Sequence, residues 1–185
     1  MAAPLSYRVD LGDRLHHLVR VSLTVPAELA PGARLVLPVW TPGSYVVRDY
    51  AKHVQTIEAR DADGEAVPLH RDGTTAWRLP ATTAGAVEVS WELYANELSV
   101  RTNHVDDHHA LLIPAATFLC LDGAEDRPHE VHLPPVPASH RVHSLLPRGD
   151  APDTYVATDR DHLIDGAFEV GDLPHLEREV EGVPH

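Results

Sequence analysis

The sequence predicts an all-β fold: an antiparallel, two-sheet, sandwich-like domain with at most one or two short helices. Three observations carry that expectation. Apolar and polar residues alternate with a period of two in six stretches of the first half, the period of a half-buried strand. The pairs Pro31-Gly32, Asp63-Gly64 and Asp72-Gly73 fall between such stretches, and Asp-Gly is favoured in tight hairpins because Gly tolerates positive φ. Sixteen prolines work against long helices, since each removes an amide donor and crowds the preceding turn.

In chain order, LSYRVDL (5–11), HHLVRVSLTV (16–25), ARLVLPV (33–39), HVQTIEA (53–59), VEVSWELYA (87–95) and LSVRT (98–102) read as strands. The second half continues the pattern with ALLIPAATFLCL (110–121), EVHLPPV (130–136), HRVHSLL (140–146) and TYVAT (154–158). A short helix is expected in TDRDHLIDG (158–166), where Asp159 can accept from the first unpaired amides. The tail from Gly166 to His185 resumes a strand-like pattern and stops abruptly. There are no repeats and no low-complexity tracts.

A chain of 185 residues is expected to form one domain around one core. With 15 Lys plus Arg against 28 Asp plus Glu, the formal charge of −13 repels phosphate backbones and anionic headgroups. Nucleic acid and membrane are therefore not expected as partners. No apolar run reaches signal or membrane-spanning length, so the sequence reads as cytoplasmic. Cys120, the one cysteine, sits in an apolar run where a thiol serves as a small hydrophobe rather than a nucleophile.

Fourteen histidines raise the question of a metal. They cluster at His16-His17, at His104 with Asp106, Asp107, His108 and His109, and at His129 with Glu130 and His132. In a strand only residues two apart share a face, so His129 and His132 do not converge, whereas His104, Asp106 and His108 could. His129-Glu130-Val131-His132 is one residue short of the His-Glu-x-x-His spacing, and the prolines that follow forbid the helix that spacing requires. No metal site is assigned to the chain. Nor is there a nucleophile elbow, a phosphate-binding glycine loop or a Cys-x-x-Cys pair.

The densest group of uncommon residues is LPVWTPGSYVVRDYAKHV (37–54), where Pro38, Trp40, Pro42, Gly43, Ser44, Tyr45, Arg48, Asp49 and Tyr50 follow one another closely. This pattern resembles the N-terminal domain of metallopeptidase family 61, the glycyl aminopeptidases. WELYANELSVRTNHVD (91–106) resembles the family's strand ending in Val-Arg, here Val100 and Arg101. DRDHLIDGAFEVG (159–171) resembles a later segment, matched at Asp161, Leu163, Asp165, Glu169 and Gly171, with Arg160 and Ala167 as departures where the family has Tyr and Pro.

The resemblance spans nearly the whole chain and implies that residues 1–185 are the N-terminal β domain of a longer zinc aminopeptidase, ending at the junction with its catalytic domain. It further implies that zinc and the catalytic residues belong to that other domain, leaving this one inactive alone. Its partners would be the catalytic domain and a peptide with an N-terminal glycine. An apolar face that the catalytic domain normally covers makes the isolated piece a candidate for self-association.

On this reading Tyr45, Arg48, Tyr50 and Arg101 belong to the substrate cleft or the interdomain face, while Trp40, Pro42, Gly43, Ser44 and Asp49 build the motif that carries them. The plainer alternative puts Trp40 and Tyr50 in the sandwich core, with Arg48 and Asp49 tying down the turn. A different function class is a stand-alone carbohydrate- or protein-binding module with Trp40, Tyr45, Trp77 and Trp91 as an aromatic platform.

Overall fold

Alternation in the sequence becomes alternation in burial. Along Leu5–Asp10 (β1) the residues at odd positions are buried, and along Val87–Tyr94 (β8) Val87, Val89, Trp91 and Leu93 all point into the interior. A computed structural model describes residues 3–41, 43–174 and 176–184. The expected all-β, sandwich-like architecture is present, with strands distributed over three larger sheets and a hairpin.

The largest sheet has seven strands in the order Thr154–Ala157 (β15), His129–His132 (β13), β1, Leu18–Val25 (β2), β8, Val54–Asp61 (β4) and Ala66–Val67 (β5). Its neighbours are antiparallel except for β1 and β13, which run parallel. A five-stranded sheet orders Arg141–Ser144 (β14), Phe168–Gly171 (β16), His109–Leu112 (β11), Thr102–Val105 (β10) and Asn96–Ser99 (β9). A four-stranded sheet orders Cys120–Leu121 (β12), Arg34–Val36 (β3), Ala76–Arg78 (β7) and His70–Arg71 (β6). Glu179–Val180 (β17) and Val183–Pro184 (β18) pair as the hairpin.

A row of aromatic rings ties the two larger sheets together. Tyr7 of β1 meets Phe118 edge-on at 5.1 Å, Phe118 lies 6.3 Å from Phe168 of β16, and Phe168 meets Tyr155 of β15 at 5.2 Å. Two polar atoms carried into this core, on Tyr7 and Trp91, are satisfied by backbone carbonyls. Tyr7 Oη–H donates to the Leu119 carbonyl at 2.9 Å, and Trp91 Nε1–H to that of Thr117 at 2.9 Å.

The expected short helix forms at Arg160–Asp165 (α2), with the Asp159 carboxylate accepting from the His162 amide at 2.8 Å. A cap of this kind is worth about 1 kcal/mol. No helix among the described residues is long and apolar enough to cross a membrane.

Two segments expected to be continuous strands are broken, each for a local reason. Residues 110–121 contain the end of β11, a one-turn helix at Pro114–Thr117 (α1) and β12. Proline is pre-set for the first helical position, and buried Asn103 closes the turn: its Oδ1 accepts from the Ile113 amide at 2.8 Å and the Thr117 hydroxyl at 3.1 Å. Residues 98–102 are the turn of the β9–β10 hairpin rather than one strand. Ser99 Oγ takes the Arg101 amide at 3.1 Å and lies 2.8 Å from Thr102 Oγ1, side-chain bonds that compete with extending the ladder. Arg101 is thereby carried at a hairpin tip.

Candidate functional groove

The motif around Trp40 is a closed loop leaving the four-stranded sheet. Leu37 anchors it in the core, and the Arg48 amide donates to the Val39 carbonyl at 2.7 Å to close it. Inside, the Ser44 amide reaches the Thr41 carbonyl at 3.0 Å, with Gly43 at φ 82°, a conformation that a residue with a Cβ adopts only under strain. Trp40 Nε1–H donates to the Ser44 carbonyl at 2.6 Å, so the indole braces the turn. Pro42 lies outside the described residues.

The loop and the hairpin tip meet around an open groove of about 390 Å³. Tyr45, Arg48 and Tyr50 line it from one side of the sequence and Val100 and Arg101 from the other, with Thr41, Ser44, Val46 and Ile113 completing the walls. Thus the structure brings together all four side chains that the sequence assigned to a cleft or interdomain face. Tyr45 is fully exposed and Val100 is 84% exposed, whereas Tyr50, at 5%, opens the 3-10 turn Tyr50–His53 and belongs to the core. Burial holds the Tyr50 phenol above its ordinary value, and the nearby Arg48 and Arg101 guanidiniums offset only part of that rise.

Neither guanidinium makes a hydrogen bond or ion pair with a described residue, although other arginines are well matched. Arg34 and Arg78 share Asp72 at 2.9 and 2.7 Å, and Arg20 meets Glu92 at 2.8 Å. Asp49 is exposed and accepts no hydrogen bond at the turn it precedes. The plainer reading therefore holds for Tyr50 and not for Trp40. Half exposed, Trp40 lines a different groove, of about 470 Å³, with Leu37, Thr75, Cys120, Asp122 and Arg160.

Sequence reasoning did not single out Val46 or Ile113. The signal for Val46 was its place in the apolar pair Val46-Val47 within an otherwise polar turn, and both of these valines are exposed.

The aromatic platform does not exist. Trp77 and Trp91 are 3% and 2% exposed, because both lie on inward-facing positions of their strands. Cys120 is buried, and burial raises its thiol to about 12, outside the range of a nucleophile at neutral pH.

The histidine clusters resolve into pairs. His104 Nε2 lies 3.0 Å from Asp106 and His109 Nε2 lies 3.1 Å from Glu169, with the two imidazoles 5.9 Å apart. Partial burial works against ionisation of Asp106. The His104 ring and the amides of His108 and His109 outweigh it and hold the carboxyl at about 2. Among the described residues no three such side chains converge in a way that could hold a metal.

A family model described as the peptidase M61 N-terminal domain matches residues 6–172. The crystal structure of an aminopeptidase N family protein from Idiomarina loihiensis superposes with a TM-score of 0.90 at 31% identity, covering 98% of this chain and 31% of that one. The chain thus spans about a third of that relative's length. No curated protein matches the sequence.

Proposed function

From the premise that the chain belongs to the peptidase M61 N-terminal domain family, we propose that it serves, in the cytoplasm, as the non-catalytic β domain of a longer zinc-dependent aminopeptidase, its loop-and-hairpin face bordering the substrate cleft. The observation that carries this is the groove itself. An uncovered tyrosine and two unpaired arginines, delivered by two separate elements, face outward from a well-packed sandwich. Exposed aromatic and apolar groups gathered around cations suit a surface that is covered in the complete protein. The Idiomarina protein, of which this chain matches 31%, has room for such a partner within one chain.

In this reading the zinc and the groups that activate water belong to the adjoining catalytic domain. The contribution of the β domain is steric. The Tyr45 ring, covered once the catalytic domain is in place, forms a wall beside the first residue of the substrate and leaves too little room for side chains beyond glycine.

Tyr45→Ala in a full-length peptidase carrying this domain is expected to lower kcat/KM for glycyl substrates about tenfold and to narrow their advantage over alanyl ones. The melting temperature should barely move, because an exposed ring contributes little to stability. Steady-state kinetics per folded molecule checks this, and unchanged turnover and selectivity would sink the proposal. The isolated domain, with the same face uncovered, is expected to dimerise weakly. Sedimentation velocity across a hundredfold concentration range reads this directly, and a single monomer boundary throughout is the opposing result.

A further inference from the structure

We propose that Arg48 and Arg101 form a carboxylate-binding site in this groove. Both positions are held from the backbone. The Arg48 amide is bonded to the Val39 carbonyl at 2.7 Å, and the Arg101 amide to Ser99 Oγ at 3.1 Å. Two unpartnered cations sharing one cavity repel each other. That repulsion is stronger beside a protein wall than in bulk water, because the effective dielectric is lower there. A single anion between them would turn that repulsion into two charge-assisted interactions, and the planar guanidinium fork matches the two oxygens of a carboxylate.

The protein itself does not supply that anion. It carries 28 acidic residues and a net charge of −13, yet no described carboxylate pairs with either arginine. The same net charge disfavours a polyanion such as nucleic acid, while one carboxylate on a short stem meets little opposition. The walls also suit such a stem, since Val46, Val100, Ile113 and the Tyr45 ring offer apolar contact beside the hydroxyls of Thr41 and Ser44. About 390 Å³ lies within the range of small-ligand pockets.

Two sources share this chemistry: the C-terminal carboxylate of a short peptide substrate, and an acidic side chain of the adjoining peptidase domain. The position of the site beside a substrate cleft rests on the reading above; its preference for a carboxylate does not.

The first test uses this chain alone, following the arginine Nε–Hε signals by NMR during titration with acetate, triglycine and triglycinamide at matched ionic strength. Acetate and triglycine should shift the Arg48 and Arg101 signals saturably, with midpoints below about 100 mM, while triglycinamide and chloride should not. Arg48→Gln and Arg101→Gln should each weaken the response at least tenfold. Arg48→Lys, which keeps the charge and loses the fork, should fall between, and an unaltered amide spectrum elsewhere confirms folding. If acetate acts no differently from chloride, or the variants respond like the unmodified chain, the site is overturned.

The source is read in a full-length peptidase carrying Arg101→Gln. A kcat/KM loss on triglycine and not on triglycinamide assigns the ligand to the substrate terminus, and an equal loss on both assigns it to the adjoining domain. No loss on either overturns a role for the site in the enzyme. The cleft reading fails separately, through Tyr45→Ala, whatever the acetate titration shows.

Discussion

Trp91→Ala is expected to destabilise the domain by about 4 kcal/mol, the range for removing a large aromatic side chain from a packed core. Trp91 sits in the middle of β8, the strand flanked by β2 and β4, opposite Val21 on one side and Ile57 on the other. Its indole is buried, and its Nε1–H satisfies the Thr117 carbonyl, which ends α1 and is equally inaccessible to water. Substitution therefore leaves a cavity between strands and strands a buried acceptor. Domains are typically stable by only about 5–15 kcal/mol, so the loss is a large share of the total. At roughly 2–4 °C per kcal/mol for a chain of this size, the melting temperature should drop by about 10 °C. Trp40→Ala, which removes a half-exposed ring with one bond to the Ser44 carbonyl, should cost about 1 kcal/mol or less. Differential scanning calorimetry of the two variants distinguishes them. A Trp91→Ala domain melting within 2 °C of the unmodified chain would show that the packing argument is wrong.

The contrast between Trp91 and Trp40 marks what the sequence could reveal. Trp91 lies in a strict alternation, and a period of two states which face a residue takes once the strand exists. Trp40 lies in a turn, where burial depends on which distant element comes to rest against it, and nothing local encodes that. The same limit separates Tyr45 from Tyr50. Both are aromatic residues of one short motif, yet the first is fully exposed and the second is core, because the 3-10 turn beginning at Tyr50 rotates it inward.

Local chemistry was legible where it is self-contained, as in the Asp159 cap and the positive φ of Gly64 and Gly73 at their turns. It misled where side chains compete with the backbone. Residues 98–102 have the composition of a strand, and the hydroxyls of Ser99 and Thr102 turn them into a hairpin. That turn is what carries Arg101 to the loop bearing Arg48. Periodicity could not have paired the two arginines. The resemblance named both, and the tertiary fold gave them a common cavity.

Protonation of His129 should destabilise the domain as the pH falls from about 6.5 to 4. The imidazole lies in β13 between β1 and β15, is 1% exposed, and stacks on Tyr7 with ring centroids 5.9 Å apart. Burial lowers its pKa to about 4, and the attraction of the Asp159 carboxylate and the Arg127 carbonyl offsets only part of that. Above pH 6.5 the ring is neutral in both folded and unfolded chains, so its folded environment carries no penalty. As the pH falls below 6.5 the unfolded chain takes up a proton that the folded one refuses, and stability declines. Below about 4 both forms are protonated and this contribution levels off. A difference of this size corresponds to on the order of 3 kcal/mol across the window. Other groups titrate nearby, so the informative quantity is a difference in slope. His129→Leu, non-titrating and close in volume, should give a urea-unfolding free energy that falls less steeply than that of the unmodified chain from pH 6.5 to 4. The two curves should run parallel above that window. Parallel curves inside it would mean that the folded protein accommodates the charged ring, and that the unpaired Nδ1 finds a partner once it is protonated.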